Sequence, residues 1–305
     1  IIRDVKGIGF KTADKIALNL GLSSNGPDRI DAGILHTQQE AEDEGHTHMD
    51  RREIALKATA LLETPTEGVE KRIQALLEDG ELISTESDWL QLPTSWKAED
   101  NIARSLQAVL KSQSSLPSIL IEKAIEWAQQ RAGFGFADAQ TEGIRNALSS
   151  KVAILTGGPG TGKTTILRAI VSILKAKKAK VMLAAPTGRA ARRMAESASH
   201  FAQTVHRLLK FDPGHGGFTV NEKSPLVCDF LIMDETSMLD IRLASALFRS
   251  VPPHAHILLV GDADQLPSVG SGNVLKDIID CDLFSVTRLQ VTFRQAENSG
   301  IVNLA

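Results

Sequence analysis

The chain has 305 residues, of which 42% are apolar and 23% charged, enough for about two ordinary globular domains and too apolar for a disordered protein. No apolar run reaches the roughly 20 residues of a membrane-spanning helix, so no membrane partner is expected. Cys228 and Cys281 cannot build a disulfide framework, and without CxxC or clustered histidines a structural zinc site is not expected either.

The net charge of −3 is unevenly spread. Residues 1–95 hold 10 Lys+Arg against 18 Asp+Glu, and residues 96–305 hold 24 against 19. Within the first part, residues 1–22 are basic, with four cations and two anions. A polyanion partner therefore suits the extreme N-terminus and the C-terminal two-thirds. The acidic helices between read as a solvated surface. The opening Ile1-Ile2-Arg3-Asp4 is not a signal peptide and lacks an initiator Met, so a cytoplasmic protein and a fragment are expected.

Residues 1–95 read as a helical domain, with helix-length segments over 11–20, 28–44, 53–63 and 67–79 separated by Gly, Pro, Ser and Asn. In the last of these, Val69, Ile73, Leu76 and Leu77 fall on one face. Asp79-Gly80 ends that helix and Glu81-Leu82-Ile83 begins an extended piece, so 53–92 has the helix–helix–strand outline of a winged helix. Only Lys71 and Arg72 stand on its would-be recognition helix, which favours packing over DNA binding. Residues 98–111 and 118–131 are two more helices in a connector spanning 96–133.

From residue 134 the pattern changes. Short aliphatic runs at 152–156, 181–185, 230–233, 257–260 and 284–289 alternate with helices. Such runs are strands buried on both faces, and their alternation with helices predicts an α/β domain with a parallel sheet over 134–288. The lysines of 175–180 sit at a helix C-terminus, where cations suit the helix dipole.

Gly157-Gly158-Pro159-Gly160-Thr161-Gly162-Lys163-Thr164-Thr165 follows a strand and opens a helix, the setting of a P-loop. Glycines let backbone N–H groups approach a phosphate, and the helix N-terminus adds partial positive charge. Lys163 neutralises β- and γ-phosphates, and the Thr164 hydroxyl suits Mg²⁺. The run Leu231-Ile232-Met233-Asp234-Glu235 ends a buried strand in two carboxylates. Asp234 is expected in the Mg²⁺ shell and Glu235 as the base that orients or deprotonates water. The next strand ends in Gly261-Asp262-Ala263-Asp264-Gln265, where Gln265 can sense a γ-phosphate and the two aspartates suit either caps or a metal shell. The combination predicts hydrolysis of Mg-ATP.

GGPGTGKTT, APTGRAARRM, TVHRLL, LIMDETSM, LVGDADQLPSVGSGNVL and VTFRQAENSGIV occur in the order found in RecD-like helicases. VKGIGFKTADKIALNLGL at 5–22 and GHTHMDRREIALKATALL at 45–62 resemble the helical N-terminal part of the longer members. The resemblance covers nearly the whole chain. It implies a superfamily 1 DNA helicase of the 5′→3′ branch, with a RecA-like P-loop NTPase domain preceded by an all-helical domain containing a helix-hairpin-helix. Its cofactors are ATP and Mg²⁺, and its partners are single-stranded DNA and junctions of single- and double-stranded DNA.

The resemblance also assigns residues. Gln140 takes the place of a glutamine that reads adenine, although Phe136-Ala137 stands where a hydroxyl cap is usual. Thr187, Gly188 and Arg189 look like the segment that grips DNA phosphates, a task for a hydroxyl, backbone N–H groups and a guanidinium. Thr204 and His206 resemble a second DNA contact, and residues 210–224 occupy the slot of the duplex-parting pin, though their composition suits a plain surface loop equally well. Gly7-Ile8-Gly9 resembles the turn of a helix-hairpin-helix that binds a DNA phosphate, with Lys6 and Lys11 beside it; a helical turn kept for packing is the other reading. Arg294 resembles an arginine that reaches the γ-phosphate when two lobes close. Residues 289–305 read as the start of a truncated second lobe, so weak activity is expected of these residues alone. A nucleotide-switched DNA-binding protein and a translocating subunit of a RecBCD-type nuclease are the alternatives.

Overall fold

The computed structural model describes residues 9–85, 87–214 and 216–290. The chain forms two compact units. One holds the chain up to Glu99 together with Val269–Gly272, and the other holds Asp100–Ser268 with the chain from Asn273.

The first unit contains α1 (Phe10–Asn19), α2 (Pro27–Asp43), β1 (His48–Asp50), α3 (Arg51–Leu62), α4 (Thr66–Glu78), β2 (Ile83–Ser84) and β3 (Trp89–Gln91). α2 starts with Pro27 at its first position, where a missing N–H costs nothing. α3 is capped by the Asp50 carboxylate, which accepts from the N–H groups of Arg52 and Glu53. Ile34, Ile54, Val69, Ile73 and Leu90 form the middle of its core. The helices carry a small antiparallel sheet in the order β1-β3-β2. Arg72, on the helix where a DNA-reading residue would stand, makes a two-pronged pair with Asp31 at 2.7 and 2.6 Å. It is engaged in holding α4 to α2.

The second unit begins within α5 (Pro93–Lys111) and continues through α6 (Ile121–Ala132), α7 (Asp138–Ser149), β4 (Val152–Gly157), α8 (Lys163–Ala176), β5 (Val181–Ala185), α9 (Gly188–Ala198), β6 (Ala202–Thr204), α10 (Val205–Leu208), β7 (Phe211–Asp212), β8 (Gly217–Phe218), β9 (Phe230–Met233), α11 (Ile241–Ser250), β10 (His256–Gly261), α12 (Val274–Asp280) and β11 (Ser285–Leu289). Six strands lie in the order β11-β4-β10-β9-β5-β6, all parallel. β9 and β10 are buried along their whole length, as aliphatic strands between two helical layers must be. The fold is RecA-like.

The stretch 96–133, read from sequence as a connector, is largely part of this unit. Ile125 and Ala128 of α6 lie in one core with Ile144, Ile166 and Ile170, because the apolar stripe of α6 has to be buried against α7 and α8. Two of the lysines around the end of α8 tie it to neighbouring segments: Lys175 donates to the Ser199 carbonyl and Lys177 to that of Ser118.

His256 at the start of β10 is a buried histidine used for structure. Its Nδ1 bonds the Ser150 carbonyl at 2.8 Å, its Nε2 lies 2.7 Å from Ser114 Oγ, and its ring stacks on Phe230. Burial lowers its pKa below the ordinary 6.5, against the pull of the Ser150 carbonyl. A lowered folded-state pKa leaves its stabilisation complete above 6.5 and removes it as pH falls through the folded value. The melting temperature is therefore expected to drop on acidification below about pH 6.5, and to drop less steeply in His256→Gln. Parallel slopes in thermal melts of the two proteins would rule out this assignment.

Candidate nucleotide site

The C-terminal ends of β4, β9 and β10 converge on the turn between β4 and α8. Gly162 has φ 92°, and it places the first turn of α8 directly behind the loop. That left-handed conformation strains any residue with a Cβ. Gly157 is constrained differently: an added Cβ would lie 2.5 Å from the Leu289 carbonyl oxygen of β11. The loop is braced by the Thr161 hydroxyl, which donates to the Gly158 carbonyl at 2.8 Å. Lys163 Nζ donates to the carbonyls of Gly157 and Gly158, so its ammonium lies across the loop where a phosphate would sit.

A cavity of about 620 Å³ opens in front of this turn. Pro159 to Thr165 line one side, and Arg193, Asp234, Glu235, Asp262 and Gln265 line the rest. Lys163, Thr164, Asp234, Glu235 and Gln265, each singled out from the sequence, thus border one space. Gln140 does not. Its Oε1 accepts from the Ala137 N–H at 3.0 Å, closing the first turn of α7 where a capping hydroxyl is missing. Arg294 and Gly7 lie outside the described residues.

Asp234 and Glu235 are neighbours with different surroundings. Glu235 has φ 52°, a left-handed kink just past the end of β9. Its own N–H donates to Asp234 Oδ1 at 2.9 Å. Burial pushes the Asp234 carboxyl above its usual value; the Glu235 charge adds to this, while the Glu235 N–H, Lys163 and Arg193 oppose it. A desolvated carboxylate beside a phosphate cradle is a group that a divalent cation would relieve. With the Thr164 hydroxyl it would fit the small protein share of a Mg²⁺ shell, the remainder coming from phosphates and water.

Two further residues hold the chosen ones: Arg193, which the sequence reading passed over, and Asp262, which it left between a cap and a metal shell. Arg193 Nη2 donates to Glu235 Oε1 at 2.8 Å. Asp262 is a cap: its Oδ1 accepts from the Asp264 N–H, and its Oδ2 accepts from Gln265 Nε2 at 3.3 Å. Thr156 Oγ1, on β4, accepts from the Ala263 N–H and ties that loop to the strand before the P-loop. Arg193 had a visible signal, since it stands four residues after Arg189 in GRAARRM.

Of the candidate DNA residues, Thr187, Gly188, Arg189, Thr204 and His206 lie at the ends of β5 and β6 in this sheet. Ala185 of β5 is paired with Thr204 of β6, so Thr187 and Thr204 follow adjacent strands. Thr187 caps α9 by accepting from the Ala190 N–H, and Thr204 caps α10 by accepting from the Arg207 N–H. Each hydroxyl keeps its proton to donate. Gly188 and Arg189 are exposed at the start of α9. His206 is exposed and packs its ring 5.7 Å from Phe218 and 6.0 Å from Phe211, at the base of the β7–β8 hairpin. Gly9 precedes α1 with φ −67° and open space around it, and Lys11 is exposed. The Gly9 conformation is thus open to any residue.

A P-loop between β4 and α8, faced by an Asp-Glu pair at the end of β9 in a parallel sheet, defines a RecA-like nucleotide-binding lobe. Residues 140–271 match the AAA domain family, and residues 1–48 match the helix-hairpin-helix domain of ATP-dependent RecD2 DNA helicases, a segment that takes in both α1 and α2. The chain is 32% identical to the ATP-dependent RecD2 DNA helicase of Deinococcus radiodurans over its full length and 43% of that protein. It is 34% identical to the RecBCD enzyme subunit RecD of Mycobacterium tuberculosis over 68% of this chain and 39% of that one. The Pif1 helicase structure from Candida albicans aligns with a TM-score of 0.40 at 24% identity, over 55% of this chain and 43% of that one. The chain belongs to the RecD-like helicase family, and it spans less than half the length of these curated relatives.

Proposed function

We propose that the protein hydrolyses Mg-ATP to move 5′→3′ along single-stranded DNA and to part duplexes at single-strand/double-strand junctions. The observation that carries this reading is the gathering of Lys163, Thr164, Asp234, Glu235 and Gln265 around one cavity. Lys163 neutralises phosphate charge, Glu235 takes the proton of the attacking water, and Gln265 reports whether a γ-phosphate is present. Thr164 and Asp234 hold the metal, whose chemistry is to neutralise the phosphate oxygens. Arg294 is assigned to the γ-phosphate by family resemblance alone. Gly7, Gly9 and Lys11 are proposed as a further phosphate contact on DNA, and the β7–β8 hairpin as the wedge. Two free cysteines, one buried, suit a cytoplasmic location.

The test is steady-state ATP turnover by the full natural chain with and without single-stranded DNA, followed by unwinding of duplexes with a 5′ or a 3′ tail. DNA-stimulated turnover and unwinding from the 5′ tail support the reading. ATP binding without DNA-stimulated turnover overturns it in favour of a nucleotide-controlled DNA-binding protein. The match of residues 1–48 to the RecD2 domain weighs against a RecBCD-type subunit.

DNA binding is expected to be salt-sensitive and largely indifferent to sequence, because phosphate contacts release counterions. Thr187→Ala and Arg189→Ala should weaken binding to every sequence alike, and Arg189→Ala should flatten the salt dependence by about one phosphate contact. Fluorescence anisotropy over a salt series checks this, and a loss confined to one sequence would contradict it.

A further inference from the structure

α9 carries three arginines with three different fates. Arg192 pairs with Glu196 one turn along, on the solvent side. Arg189 is exposed and has no ion-pair partner among the described residues. Arg193, four residues after Arg189, reaches across to Glu235 and lines the phosphate cavity. Residues four apart on a helix are neighbours on one face, so a phosphate held by Arg189 lies within reach of the Arg193 side chain. Arg193 is 64% exposed and Glu235 25%, so the pair is half-solvated and readily exchanged for another partner.

We propose that Arg193 is a positioning residue that parks Glu235 in the DNA-free protein and releases it when a DNA phosphate occupies the start of α9. Paired with Arg193, the Glu235 carboxylate has a fixed direction, with its Oε1 taken up by the guanidinium hydrogen bond. An oxygen held in that bond is not free to accept a proton from water. A DNA phosphate at Arg189 offers Arg193 a second anion. Arg193 turns to it, and Glu235 Oε1 is freed to accept from a water in the cavity that Glu235 already borders. The cation that senses DNA and the cation that restrains the base are the same side chain, with no relay through the core. This inference rests on the ATPase reading above and adds its control by DNA.

The test compares wild type, Arg193→Ala and Arg193→Lys in the full natural chain, by turnover at saturating ATP with and without single-stranded DNA. Arg193→Ala is expected to raise the DNA-free rate by on the order of fivefold, as for loss of one exposed ion pair, and to shrink the stimulation by DNA by the same factor. KM for ATP should hold, and Arg193→Lys should restore part of the restraint, since an ammonium can still pair with Glu235. A purely structural role for Arg193 would lower both rates together. An unchanged or lower DNA-free rate in Arg193→Ala, with normal wild-type turnover, overturns this inference alone. Absence of wild-type turnover that depends on Lys163 overturns the ATPase reading and takes this inference with it.

Discussion

Lys163→Ala is expected to abolish ATP turnover while leaving the fold in place. Lys163 begins α8, and among the described residues its Nζ bonds the carbonyls of Gly157 and Gly158, at the wall of a cavity open to water. Its removal uncovers two carbonyls that solvent can reach, and alanine is the best helix former for that position. The core beneath α8, built from Ile166, Leu167, Ile170 and Leu174, is untouched. The chemical loss is of another order. A fixed cation at the phosphates stabilises charge that develops during transfer, and removing one such group costs about 10²–10³ in rate. Circular dichroism and thermal melting should overlay the wild type, with turnover at background in a coupled assay. Wild-type turnover in the variant would end the P-loop assignment, and a collapsed melting transition would make Lys163 a structural residue.

Much of this architecture was legible because burial on both faces leaves a strong mark in sequence. The runs 152–156, 181–185, 230–233 and 257–260 are strands of the central sheet within one residue of their expected ends. The strand β6 left no such mark: Ala202-Gln203-Thr204 sits at the sheet edge, half-exposed, with the small Ala202 as its one apolar side chain. The same holds for β1, where His48-Met49-Asp50 buries a single side chain. The phosphate turn was legible because its residue types follow one another within nine positions, with Gly162 dictated by its own left-handed backbone. The Arg193–Glu235 pair was not, since it joins positions 42 residues apart through the order of the sheet. The Gln140 cap lies between these cases. Ala137 in place of a hydroxyl residue signals the missing cap, but only the structure shows the Gln140 carboxamide closing it.

Glu235→Gln is expected to separate nucleotide binding from hydrolysis. The substitution keeps the volume of the side chain and its Oε1 acceptor, so the hydrogen bond from Arg193 can persist in a weaker, uncharged form. The left-handed kink at φ 52° depends on the backbone and on the N–H bond to Asp234, neither of which changes. Lys163, Thr164 and Asp234 remain around the cavity, so ATP should still bind, and with one negative charge fewer facing the phosphates it should bind at least as tightly. What disappears is the proton acceptor. Turnover should fall by about 10²–10⁴, the span associated with a lost general base. Binding of a fluorescent ATP analogue, measured beside steady-state hydrolysis, reads the two effects separately. Loss of nucleotide binding in step with turnover would move Glu235 from the chemistry to the architecture of the site. Retained binding with near-normal turnover would require another base, and Asp262, buried at the same cavity, is the carboxylate that would be tested next.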